Sequence, residues 1–137
     1  MSALVPPLLI QVALTFFILF AMGNGRLQAS KTKEVRAALK EGTTPSYGRS
    51  ADLLSDNLKN QFEIPVLFYA AIAVAIAADT ASSLVVILAW VFALSRVVHA
   101  GIHVTVNNVR QRFLTFLFGA VVLLVLWIVL GIDLLSQ

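Results

Sequence analysis

The chain has 137 residues, of which 59% are hydrophobic and only 12% charged. A soluble domain of this size has too little interior to hide so much apolar surface, so the bilayer must be its main solvent. The formal net charge of +3 comes without a basic groove interleaved with aromatics, which argues against nucleic acid as a partner, and the absence of cysteine excludes disulfides, thiolate chemistry and cysteine-based metal sites.

Four stretches are long enough to cross a membrane: 4–22, 57–78, 81–106 and 112–132. Each has about 19 or more residues, which suits a hydrocarbon core of roughly 30 Å. They must be helices, because lipid satisfies no backbone hydrogen bonds. The expected fold is an all-α integral membrane protein, a four-transmembrane-helix bundle forming a single membrane domain over 1–137.

The first span carries one amide, Gln11, and has Pro6 and Pro7 in its first turn, where missing N–H donors cost little. No basic region precedes it and "AMGNG" is a poor cleavage site, so it reads as a retained helix, not a signal peptide. "GNG" at 23–25 predicts its end. Loop 23–50 contains "SKTKEVRAALKEG", in which Val35, Ala38 and Leu39 make a short apolar face among charges. That pattern predicts a surface helix lying against membrane lipids, attracted by anionic headgroups. After the turn-rich "GTTPSYG" a helix restarts at Ser50, with Leu54, Leu58 and Phe62 at spacing four. It is expected to run into the second span without interruption, bent by Pro65. The second span is rich in alanine (Ala70, Ala71, Ala73, Ala75, Ala77, Ala78), which permits close helix approach either inside one bundle or between copies. A very short turn around 79–82 makes the second and third spans antiparallel neighbours, with Asp79 or Thr80 capping the third.

All ten Lys and Arg lie in or beside two regions. Arg26, Lys31, Lys33, Arg36, Lys40 and Arg49 lie between the first two spans and Lys59 at the start of the second; Arg96, Arg110 and Arg112 lie around the end of the third and the following loop. Cytoplasmic loops carry the basic excess, so loop 23–50 is expected in the cytoplasm and both termini outside it.

The polar residues of the second and third spans form two stripes. Asp56, Asn60 and Glu63 are spaced four and three apart; Arg96, His99, His103 and Asn107 are spaced three, four and four apart. Counted from the short turn at 1.5 Å per residue, Glu63 and Arg96 both fall roughly 22 Å away, and the same count levels Asn60 with His99 and Asp56 with His103. Arg96 is therefore the expected partner of Glu63, directly or across a neighbouring subunit, in a polar pocket open toward the cytoplasm. A structural ion pair that only fixes register is the plain alternative, but seven polar residues exceed what one bridge needs, and ionisable clusters at membrane depth point to function. His99 and His103 at i, i+4 could ligate a metal, yet Arg96 one turn away repels a cation, and no metal is expected.

"NQFEIP" entering the second span, with "RVVHAGIH" leaving the third, resembles the MAPEG family, membrane-associated proteins in eicosanoid and glutathione metabolism. The resemblance covers nearly the whole chain and is closest in layout to microsomal prostaglandin E synthase and its bacterial relatives. It implies a homotrimer in a bacterial inner membrane, with glutathione bound between subunits near the cytoplasmic side. Asn60 and Glu63 match the family's N-x-x-E motif, and Lys59 a basic residue just before it. Arg26 resembles the first-helix arginine that holds a glutathione carboxylate. Arg96 and His99 match an R-x-x-H pattern, and His103 occupies a position that is often tyrosine. Arg112 resembles the arginine that activates the thiol, with Arg110 as a competing alignment. The resemblance thus implies a glutathione-dependent transferase or peroxidase acting on lipophilic electrophiles. The competing class is a non-catalytic membrane protein binding an anionic lipid or small ligand in the same pocket. Asp56 stands where the glutathione enzymes usually have arginine, so glutathione is expected to bind weakly. Phe113 and Phe116 replace hydroxyl-bearing residues of the prostaglandin enzyme.

Overall fold

The computed structural model describes residues 2–136. A short 3-10 turn, Ser2–Leu4, leads into α1, Val5–Ala29; α2 is Lys33–Lys40, α3 Arg49–Gln61, α4 Ile64–Ala77, α5 Ser83–Val104 and α6 Val109–Leu135. No strand occurs among the described residues. Four stretches are long and apolar enough to cross a membrane: α1 with its leading turn, α3 joined to α4, α5 and α6. The protein is an all-α, multi-pass integral membrane protein.

Its core is a layer of apolar side chains shared by α4, α5 and α6, closed at one end by Leu4. Phe68 stacks on Phe92 with centroids 4.6 Å apart, and Ala71, Ala75 and Ala89 are fully buried. Outward faces stay apolar, with Phe17, Phe20 and Leu124 among the exposed side chains. In water such a surface would aggregate; in a bilayer it meets its solvent. The alanines of α4 divide accordingly. Ala71 and Ala75 pack within the chain, whereas Ala70, Ala73 and Ala77 face outward.

Three local features depart from expectation. The first helix does not end at "GNG" but continues through it to Ala29. Glycine inside a helix costs about 1 kcal/mol relative to alanine, and here close packing accounts for Gly25: a Cβ there would meet Cβ of Ala51 at 3.2 Å, where α1 crosses α3. The second span is broken, not merely bent. Glu63 has φ −94 and ψ −104, outside the helical region, between the end of α3 and the start of α4. Pro65 has no N–H to offer the Gln61 carbonyl and its ring crowds that carbonyl, so the helix restarts. Finally, the cap of α5 is Ser82, whose side chain accepts from the Val85 N–H at 3.4 Å, and not Asp79 or Thr80. Asp79 instead takes a left-handed turn conformation, φ 49.

The short helix in the basic loop forms as expected. Thr32 caps α2 by accepting from the Val35 N–H, Glu34 and Lys40 lie at the ends the helix dipole favours, and Val35 is buried.

A run of buried amides joins the helices near the break. Gln11 Nε2 donates to Gln61 Oε1 at 2.8 Å, Gln61 Nε2 to Asn57 Oδ1 at 2.9 Å, and Asn57 Nδ2 to the Ala100 carbonyl at 3.3 Å. All three side chains are fully buried. The chain therefore ties α1, α3 and α5 together at the level where α3 ends.

Candidate functional site

The end of α3, the last turns of α5 and the first turns of α6 surround a cavity of about 230 Å³. Its walls are Asn60, His99, Val109, Arg112, Phe113 and Phe116. Three of these, Asn60, His99 and Arg112, are the candidate ligand-binding or catalytic residues of the sequence, each delivered by a different helix.

Arg112 is set by the loop before α6. Asn107 adopts a left-handed backbone conformation, φ 51, which asparagine tolerates better than most residues. Its Oδ1 accepts from Arg112 Nη1 at 2.7 Å. Asn108 caps α6 by accepting from the Gln111 N–H at 3.1 Å. These two turns fix the arginine at the cavity wall. Arg110 is exposed and does not line the cavity, which favours Arg112 of the two alternatives.

The two histidines are buried on one face of α5, rings 5.9 Å apart and edge to face. His99 Nδ1 lies 3.1 Å from Thr115 Oγ1 on α6, and His103 Nδ1 lies 3.3 Å from Asn60 Nδ2 on α3. The Nε2 atom of each is buried and has no hydrogen-bond partner among the described residues.

Arg96 is fully buried one turn before His99. Its guanidinium lies 5.7 Å over the Phe116 ring, and none of its three nitrogens has a hydrogen-bond partner among the described residues. The neighbouring helix comes close because residue 119 is glycine: a Cβ there would meet Ser95 Oγ at 3.1 Å and Arg96 Cδ at 3.7 Å.

The expected Glu63–Arg96 pair does not form within the chain. Glu63 is exposed at the break, and among the described residues the ion pair within 4.0 Å is Lys59–Asp56, at 2.9 Å. The depth count assumed an unbroken helix. A residue outside the helix advances by more than 1.5 Å, up to about 3.3 Å, and its departure also turns the stripe. Asn60 accordingly meets His103 instead of His99, about one turn from the level the count gave.

The remaining residues lie apart from the cavity. Lys59 and Asp56 pair at the surface, 71% and 56% exposed, and neither lines the cavity, although Asp56 lies within electrostatic reach of His103 and Arg112. Arg26 donates to Ser55 Oγ at 2.9 Å and stacks under Tyr47, 5.1 Å from its centroid. It fastens the basic loop to α3. Thr115 is the contributor that sequence reasoning did not assign a role; Asn107, expected in the stripe of the third span, lies instead in the loop after α5 and acts on Arg112. Thr115 lies one turn after Arg112, a signal that was available once α6 was known to start before it.

The MAPEG family model matches residues 4–132. The chain belongs to the MAPEG family. Comparison with curated proteins and with solved structures returned no match. Family membership covers all four spans of this MAPEG protein, and with them the α3, α5 and α6 segments that build the cavity. It also makes the chain a membrane protein of the family associated with glutathione and eicosanoid metabolism.

Proposed function

We propose that this MAPEG protein binds glutathione in the Asn60–His99–Arg112 cavity and uses its thiolate against lipophilic electrophiles, as a transferase or peroxidase. The observation that carries the reading is the charge balance. Arg112 lines the cavity, Arg96 is buried beside it without a carboxylate partner, and no Asp or Glu is among the lining residues. A low-dielectric site with surplus positive charge favours an anionic ligand, and an arginine next to a thiol favours the thiolate. In this role Arg112 stabilises the sulfur, Asn60, held from behind by His103, forms a polar wall, and Arg96 supplies longer-range attraction. The apolar electrophile enters from the bilayer past Val109 and Phe113, both exposed at the rim.

Assembly as a homotrimer belongs to the same proposal. The outward stripe of Ala70, Ala73 and Ala77 suits close helix contact between copies. In a trimer, Arg26 and Glu63 would complete the site by facing a neighbouring copy's cavity, with Lys59 held in its pair with Asp56. We place the protein in a bacterial inner membrane with loop 23–50 cytoplasmic.

One observation favours the second reading, a non-catalytic receptor for an anionic lipid: the same open rim admits a headgroup directly from the membrane. Titration of the protein in nanodiscs with glutathione separates the two. Saturable binding lost in Arg112→Leu, with thiolate absorption on binding, supports the enzyme. Absence of glutathione binding, with phosphatidylglycerol retained through purification, supports the receptor.

A further inference from the structure

The two histidines are not equivalent, and Thr115 is the reason. A threonine hydroxyl has one hydrogen. Thr115 Oγ1 lies 2.9 Å from the Gln111 carbonyl and 3.1 Å from the Arg112 carbonyl, both of which can only accept. The hydrogen is thus committed to the backbone of its own helix, the usual arrangement for a helical threonine. His99 Nδ1 is 3.1 Å from the same oxygen. Only an Nδ1–H donating to Thr115 satisfies all three contacts; the reverse assignment leaves the hydroxyl and carbonyl oxygens facing without a hydrogen. A neutral imidazole carries one hydrogen, so Nε2 of His99 holds a lone pair. That nitrogen is buried, has no hydrogen-bond partner among the described residues, and belongs to a residue that lines the cavity with Arg112.

His103 has the opposite form. Its Nδ1 faces the amide nitrogen of Asn60 at 3.3 Å, so the amide donates and the ring hydrogen sits on Nε2. The adjacent rings therefore present one acceptor and one donor.

We infer that Thr115 fixes His99 in the Nδ1–H form and that His99 Nε2 is the proton acceptor for the thiol bound in this cavity, an assignment resting on the glutathione reading above. The S–H bond breaks, the proton forms an N–H bond at Nε2, and the electron pair stays on sulfur as a thiolate beside Arg112. No electrons change owner and no co-reactant is required. The charged and titratable groups around His99 are Arg96 and His103 on α5 and Arg112 on α6; Asn60 on α3 is neutral, and Glu63 at the α3–α4 joint is turned outward. Arg96 and Arg112 oppose a positive ring, so the proton is held at Nε2 only as an ion pair with the bound thiolate, whose charge offsets them. Thr115 is a positioning residue, acting through His99.

The test uses the full chain in nanodiscs with 15N-labelled histidine. The chain has two histidines, so His103→Gln leaves the His99 signals alone in the spectrum. His99 is expected to show a protonated Nδ1 and a bare Nε2. Thr115→Val should lose that preference and Thr115→Ser should keep it. A hydrogen on Nε2 in the parent protein, or an unchanged tautomer in Thr115→Val, overturns the assignment. In a second arm, the absorption of bound glutathione thiolate is followed against pH. Thr115→Val should raise the apparent thiol pKa by about one unit, roughly tenfold less thiolate, while affinity for S-methylglutathione, which has no thiol proton, stays unchanged. Equal thiolate in Thr115→Val and the parent removes His99 as acceptor. If S-methylglutathione does not bind the parent protein, the glutathione reading falls and the acceptor role with it, whereas the tautomer assignment stands or falls on the first arm alone.

Discussion

Asn107 Oδ1 receives Arg112 Nη1 at 2.7 Å, from a backbone held at φ 51. The loop thereby sets the direction of the one guanidinium that lines the cavity. Asn107→Gly keeps the left-handed turn while deleting the acceptor. A hydrogen bond to a charged group contributes about 1.5–3 kcal/mol when sheltered, less at this half-buried position. The expected result is about a tenfold loss of anion affinity with little change in thermal stability, measured by titration and by unfolding in the same detergent. Asn107→Ala should lose stability as well, because alanine at positive φ costs about 1–2 kcal/mol.

Glu63 and Arg96 lead to a prediction about assembly. Within one chain the carboxylate is exposed and the guanidinium is buried without it. Glu63→Gln should then change the stability of the monomer by less than about 0.5 kcal/mol. Arg96→Met, which removes a buried unpaired charge, should be neutral or stabilising by about 1–4 kcal/mol, at the expense of anion binding. If instead Glu63→Gln destabilises the assembled protein strongly and Arg96→Met rescues it, a neighbouring copy supplies the carboxylate.

The amide run Gln11–Gln61–Asn57 should be costly to interrupt. Asn57→Leu leaves Gln61 Nε2 and the Ala100 carbonyl without their partners in a medium that offers no water. An unsatisfied buried group costs about 1–3 kcal/mol, so Asn57→Leu should destabilise by at least that amount. Gln11→Leu orphans only Gln61 Oε1 and should cost less. Reversible unfolding in bicelles ranks the two; the opposite order would show that Gln11 carries the junction.

How much of this was readable from sequence depends on whether periodicity or local backbone chemistry decided it. The four spans follow from apolar length alone, and the surface helix α2 follows from Val35 among charges after a threonine cap. The break at Glu63 was signalled by Pro65, but sequence does not say whether a proline bends a helix or severs it. That ambiguity moved Asn60 from His99 to His103 and turned Glu63 outward. Asn57 and Gln61 were invisible as core residues because polar side chains usually face outward, and only their mutual hydrogen bonds make burial tolerable. Arg112 was identified by resemblance, whereas its support by Asn107 depends on a left-handed residue that no periodicity announces.

Topology remains a prediction from the distribution of Lys and Arg. Cysteines introduced at Ser2 and Ser136, both exposed, should react with a membrane-impermeant maleimide added outside sealed cells. A cysteine at Thr44 in the basic loop should react only after permeabilisation. Exclusive labelling of the termini from inside would invert the arrangement.

Asp56 provides the sharpest check on the cavity. Resemblance to glutathione enzymes set a carboxylate where they carry arginine, and from sequence that reversal should weaken binding. In the structure the carboxylate is held 2.9 Å from Lys59 at an exposed position, and neither residue lines the cavity. Exposed charges are screened over roughly 8–10 Å in physiological salt, and the Lys59 pairing offsets most of the field that Asp56 exerts on Arg112 and His103. Asp56→Arg should therefore leave glutathione affinity within about threefold, under about 0.7 kcal/mol, while Arg112→Leu in the same assay abolishes it. A gain of tenfold or more in Asp56→Arg would place residue 56 against the ligand, although it does not line the cavity of its own chain. The site would then have to draw that face from a neighbouring copy.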